Sequence, residues 1–176
     1  MRVVALDIAT QTGIAVGDVG GDPRAWSVDL GKGDEARGAK LLGVVDRLLR
    51  DERPDLVVVE APIGGPNASH LLIGLAFVAK SVCKARGVHA DSVHISSVRK
   101  HFLGSVPTTR GQSAKNKADA KKAIKQMVVH RCRLLGWDVP DHDAADAAAC
   151  WDFACARHGQ HQAHRSTPLF AKGARQ

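Results

Sequence analysis

The spacing of apolar residues changes period several times along this chain, and each change marks an element. RVVALDIA (2–9) is an almost unbroken apolar, β-branched run, the pattern of a central strand buried on both faces. ATQTG (9–13) is a turn signal. TGIAVGD (12–18) predicts a second strand, GDVGGDP (17–23) another turn, and AWSVDL (25–30) a third strand, together an antiparallel meander. From 34 to 51 the period becomes helical: Leu41, Val44, Val45, Leu48 and Leu49 recur every three or four residues, and Pro54 stops the run. LVVVE (56–60) is again a buried strand, expected beside the first. APIGGPNAS (61–69) is a loop. HLLIGLAFVAKSVCKA (70–85) predicts a helix apolar around much of its circumference, as expected where the core covers one side and a second subunit the other. SVHI (92–95) predicts a short strand and 100–117 contains a cation-rich loop. Residues 118–136 predict a helix capped by Gly136, and 141–157 the last helix. The order predicts an α/β domain over 1–157, a sheet with helices on both faces, and then a polar, basic tail (158–176).

Composition narrows the class. A chain of 176 residues with 44% hydrophobic and 24% charged residues suits one soluble domain with one core. Its apolar runs are too short to cross a bilayer, and Asp7 interrupts the N-terminal run, so no signal peptide is expected and a cytoplasmic setting is. A net charge of +7 favours a polyanionic partner. With no Tyr and 4% aromatic residues, a broad base-stacking platform is not expected. Cys83, Cys132, Cys150 and Cys155 form no CxxC pair. Zinc held by Cys150, Cys155, His158, His161 and His164 is an alternative to reduced core cysteines, but the cysteine spacing is wide for a finger. Neither GxxxxGK[ST] nor GxGxxG occurs.

The acidic residues carry the chemistry. Asp7 interrupts a central strand and Glu60 ends another; if those strands are parallel neighbours, both acids emerge at one sheet edge. Asp143 and Asp146 are three apart and share a helix face, while Asp141, after Pro140, suits the N-cap. Each acid has a local explanation, the helix dipole for Asp141 and Asp143 above all. Asp146, set among alanines, and Asp7 are harder to explain that way. Carboxylates about 4 Å apart repel by roughly 4 kcal/mol at an effective dielectric near 20, so a cluster of them needs a cation. Two Mg²⁺ ions about 3.5–4 Å apart, held by acids from separate elements, can flank a phosphodiester and promote its hydrolysis.

LDIATQTG, VVVEAP and HDAADAAA, in this order, resemble the RuvC family of Holliday-junction resolvases in the RNase H-like superfamily, from Arg2 to about Phe153. The resemblance implies an RNase H-like fold, a five-stranded mixed sheet flanked by helices. It implies a homodimer through the 70–85 helix, and Mg²⁺- or Mn²⁺-dependent incision of branched DNA leaving 5′-phosphate and 3′-hydroxyl ends. The family's four acids fall on Asp7, Glu60, Asp143 and Asp146, and SVRK and SAKNKADAKK are similar to its basic segments. Lys117 best matches a lysine near the scissile phosphate, and Arg99 or Lys100 a second cation; Arg110, Lys115 and Lys121 join them as candidate DNA contacts. The aromatic that bacterial members carry after the glutamate is replaced here by Ala61, Pro62 and Ile63. That, with the short ATQTG turn, is closer to phage-type relatives and implies cutting of forks and flaps as well as junctions. Two alternatives stay open: a binding module of this fold without catalysis, and a nuclease acting on RNA or RNA–DNA hybrids.

Overall fold

The computed structural model describes residues 1–66, 68–105 and 114–158, excluding the side chains of Ala114, Lys115 and Lys117. The elements run β1 (Arg2–Asp7), β2 (Gln11–Asp18), β3 (Arg24–Asp29), α1 (Asp34–Glu52), β4 (Leu56–Glu60) and α2 (His70–Ala85). They continue with β5 (His89–Val93), α3 (Ile95–Leu103), α4 (Ala114–Leu134) and α5 (His142–His158). The five strands form one mixed sheet in the order β3-β2-β1-β4-β5, antiparallel on the meander side and parallel across β1-β4-β5.

Strand alternation sorts the core into two layers. Val4, Leu6, Ile14, Val16, Val57 and Val59 point to one face, where Leu41, Val45 and Leu48 of α1 and Leu75, Ala79 and Cys83 of α2 cover them. Val3, Ala5, Ala15, Leu56 and Val58 point to the other, under Val98 and Phe102 of α3, Val128 and Cys132 of α4, and the alanines of α5. Cys83, Cys132, Cys150 and Cys155 are all buried in these two layers. His161 and His164, the outer members of the zinc alternative, lie outside the described residues.

Local chemistry ends the helices where expected, and once where it was not. α1 stops at Arg53, which takes a left-handed conformation (φ 46°) before Pro54. Past α4, the Gly136 N–H donates to the Arg133 carbonyl and the Trp137 N–H to that of Cys132, a Schellman cap with Gly136 at φ 82°. The sequence reading differs at three places. The last strand is 89–93 rather than 92–95: HADSV is an edge strand paired, among the described residues, with β4 alone, so it needs no apolar run. Residues 95–103, the first expected in that strand and the rest unassigned or expected in a loop, form α3, which buries only Val98 and Phe102 and ends at Gly104. α4 begins at 114, four residues early, because its first turns are polar all round and carry no helical stripe.

Among the described residues, no helix is long and apolar enough to cross a membrane.

Candidate active site

β1 and β4 run parallel with Leu6 opposite Val59, so their C-terminal ends open at the same edge of the sheet. Residues two apart share a face. Asp7 therefore points the same way as Val3 and Ala5, and Glu60 the same way as Leu56 and Val58, toward α5.

The third contributor is set in place by β2. Its α5-facing residues are Gly13, Ala15 and Gly17, a smooth track onto which the helix descends. A Cβ at Gly13 would stand 1.9 Å from the carbonyl oxygen of Asp143, and one at Gly17 2.8 Å from the Trp151 ring. The Trp151 indole N–H donates to the Gly17 carbonyl at 3.2 Å. Because Gly13 is also the cross-strand partner of Asp7, the same contact brings Asp143 beside Asp7. Asp141 caps the helix: its Oδ1 accepts the Ala144 N–H at 2.8 Å and its Oδ2 accepts the Ser27 hydroxyl on β3. Burial acts to raise the Asp141 carboxyl, but these hydrogen bonds outweigh it and hold the group below the usual range.

Asp7, Glu60, Asp143 and Asp146 line one cleft of about 230 Å³, together with Ala61, Pro62, Ile63, Arg99 and Lys125. Their mutual repulsion is visible in the acidities. Asp7 is pushed well up, first by burial and then by Glu60, Asp146 and Asp143. Glu60 is raised to about 7 by burial and Asp146, against the pull of Arg99, a hydrogen bond with Asp7, and Lys125. Burial also raises Asp146, opposed by Arg99 and Lys125. The Arg99 guanidinium stands 3.7 Å from Asp146 Oδ2, and Lys125 Nζ 3.5 Å from Asp143 Oδ1.

Comparison with known proteins bears on this arrangement. The chain matches no protein-family model and no curated protein sequence. Among solved structures it is similar to Thermus thermophilus RuvC, with 22% identity and a TM-score of 0.62 over 90% of this chain and 97% of that one. It is similar also to T. thermophilus RuvC in complex with a Holliday junction substrate, at 19% identity and a TM-score of 0.60 over the same shares, 90% and 97%. A third similar structure is the yeast mitochondrial Holliday junction resolvase Ydc2, at 10% identity and a TM-score of 0.56 over 94% of this chain and 83% of that one. The fold is RuvC-like.

Within this RuvC-like fold the predicted site residues divide into three groups. Asp7, Glu60, Asp143, Asp146 and Arg99 come together at the cleft. Lys100 and Lys121 are exposed and do not line it. Arg110 lies outside the described residues, as do the side chains of Lys115 and Lys117, whose backbones are in the first turn of α4. Lys125 reaches the acids and was not singled out from the sequence. Its signal was there, one turn beyond Lys121 on the same helix, but it was one of eight Lys and Arg between 99 and 125 with nothing local to distinguish it.

The acids suit a hard divalent cation in kind: oxygen donors from three elements, with Asp146 Oδ1 buried and without a hydrogen-bond partner. A buried anionic oxygen with idle lone pairs is unfavourable unless a cation satisfies it. As placed, the carboxylates ring the cleft rather than meet at a point. Among the described residues, no group of three or more His, Cys, Asp or Glu side chains is already drawn together to hold a metal ion. The donor set fits the ion in its chemistry.

Proposed function

We propose that this protein is a divalent-metal-dependent endonuclease that cuts branched DNA, Holliday junctions included, leaving 5′-phosphate and 3′-hydroxyl ends. The observation that carries the reading is the convergence of Asp7 from β1, Glu60 from β4, and Asp143 and Asp146 from α5 on one cleft of a RuvC-like fold. Two Mg²⁺ or Mn²⁺ ions held by these carboxylates would supply an activated water and stabilisation of the departing oxygen. The chain's own groups do the rest. Arg99 and Lys125 stand at the cleft where the phosphate would lie and offset charge that develops on it. Lys100, Lys115, Lys117 and Lys121, with Arg110, are proposed to track the backbone, with Lys117 nearest the scissile phosphate. Of the similar solved structures, one is named as a Holliday junction resolvase and another, of RuvC, holds a Holliday junction substrate, which supports a branched substrate here.

A junction has paired strands to cut, so two sites are needed. We assign the dimer contact to α2, whose apolar Ile73 and Phe77 are 43% and 73% exposed. Ala61, Pro62 and Ile63 line the cleft, Ile63 73% exposed, where the resemblance expects an aromatic shortly after the glutamate; the absence of one supports acceptance of forks and flaps as well. The test is a panel of four-way junction, fork, linear duplex and RNA–DNA hybrid, with magnesium and with EDTA. The proposal expects incision of the branched DNAs only, and only with magnesium. Cutting confined to the hybrid, or junction binding without any incision, would refute it.

A further inference from the structure

Arg99 and Lys125 hold a position in the cleft that phosphate contact alone does not explain. They enter from different helices, α3 and α4, and each stands against a different carboxylate of α5: Arg99 at 3.7 Å from Asp146 and Lys125 at 3.5 Å from Asp143. Both contacts are long for charged hydrogen bonds. The Arg99 Nε is buried and without a hydrogen-bond partner, so the guanidinium is not forked onto its carboxylate. Both cations keep contact with solvent, their side chains 23% and 42% exposed, whereas Asp146 is at 5%. Asp146 is buried in the core, whereas the two cations reach it and Asp143 from the solvent side, at distances longer than a charged hydrogen bond.

Charge balance indicates when they would move. Fully ionised, as divalent-metal binding requires, the four acids would carry four negative charges, of which Arg99 and Lys125 would offset half. Two divalent cations would offset all four, and the two side chains would then face a site with no charge left for them. The nearest anion remaining would be a phosphodiester. We infer that Arg99 and Lys125 are exchangeable counter-ions: they hold Asp146 and Asp143 in the metal-free protein, cede them when divalent cations bind, and turn to the DNA phosphate. The inference rests on the reading of these acids as a metal site. It adds that the two cations compete with the metal instead of only assisting it.

Binding measurements separate these statements. Mn²⁺ would be titrated into the whole protein at mildly alkaline pH and low ionic strength, with free Mn²⁺ read by electron paramagnetic resonance, for wild type, R99Q, K125Q, R99K and D146N. Four-way-junction affinity would be measured in calcium. The exchange predicts that R99Q and K125Q bind Mn²⁺ roughly three- to tenfold more tightly than wild type, that R99K stays near wild type, and that R99Q and K125Q both bind the junction more weakly. Opposite signs are the signature, since a merely structural role would weaken both affinities. If wild type binds Mn²⁺ and D146N does not, while R99Q and K125Q bind it no more tightly than wild type, the exchange is overturned and the metal site stands. If wild type takes up no Mn²⁺, both fall. K125Q, at a half-exposed side chain, keeps the test decisive should R99Q not fold.

Discussion

Burying Asp146 beside three other acids opposes folding of the chain alone, since repulsion and burial hold Asp7, Glu60 and Asp146 above their usual range. Removing one charge should therefore stabilise the metal-free protein. Asp146→Asn is expected to raise its stability by about 1 kcal/mol in thermal unfolding, to abolish incision, and to leave junction binding intact. The pH dependence has a definite sign. Glu60 rises from 4.5 to about 7 on folding, so between those values the folded chain binds more protons than the unfolded one. That contribution is full below pH 4.5 and is lost as pH rises through about 7. In EDTA, denaturant unfolding should show a stability loss on the order of 2 kcal/mol across this window that Glu60→Gln removes. At this scale the acids were legible because they are out of place: Asp7 in a buried strand, Asp146 among alanines. Lys125 was not, because what marks it is its distance to Asp143, which appears only after α4 and α5 pack.

At the scale of elements, the site depends on how closely α5 approaches β2. Adding a methyl group at Gly13 places it 1.9 Å from the Asp143 carbonyl oxygen, far inside van der Waals contact and against backbone, which cannot rotate away. Gly13→Ala should cost about 2 kcal/mol or more in thermal unfolding and should weaken Mn²⁺ binding as well, because it displaces Asp143 from Asp7. Gly17→Ala meets a ring instead of backbone and should destabilise less, with little effect on metal affinity. The meander, α1, β4, α2 and α5 were legible because each carries its own apolar signal, unbroken runs in β1 and β4, a three- to four-residue period in α1 and long apolar stretches in α2 and α5. β5, α3 and the start of α4 were not. An edge strand, a nine-residue helix with two buried side chains and a helix start without an apolar stripe carry too little pattern of their own to be read. α3 mattered most, since it delivers Arg99.

For the whole molecule, the excess of positive charge and the bare face of α2 set the expectations. Junction affinity should fall steeply with added salt, and Phe77→Glu should convert a dimer to monomers in sedimentation velocity while leaving each fold intact. The fold was legible as RNase H-like from three short motifs, and the structural likeness to RuvC rests on the arrangement of the whole chain rather than on identity, which is 22% or lower. The tail from 159 lies outside the described residues. What the account does depend on is that acids brought together from three elements act as one metal-dependent cutting site. The most direct test is incision of an end-labelled four-way junction by wild type and Asp146→Asn, each with magnesium and with EDTA. The account predicts ligatable nicks from wild type in magnesium and none in the other three reactions; cutting that survives EDTA, or that Asp146→Asn performs as well as wild type, would contradict it.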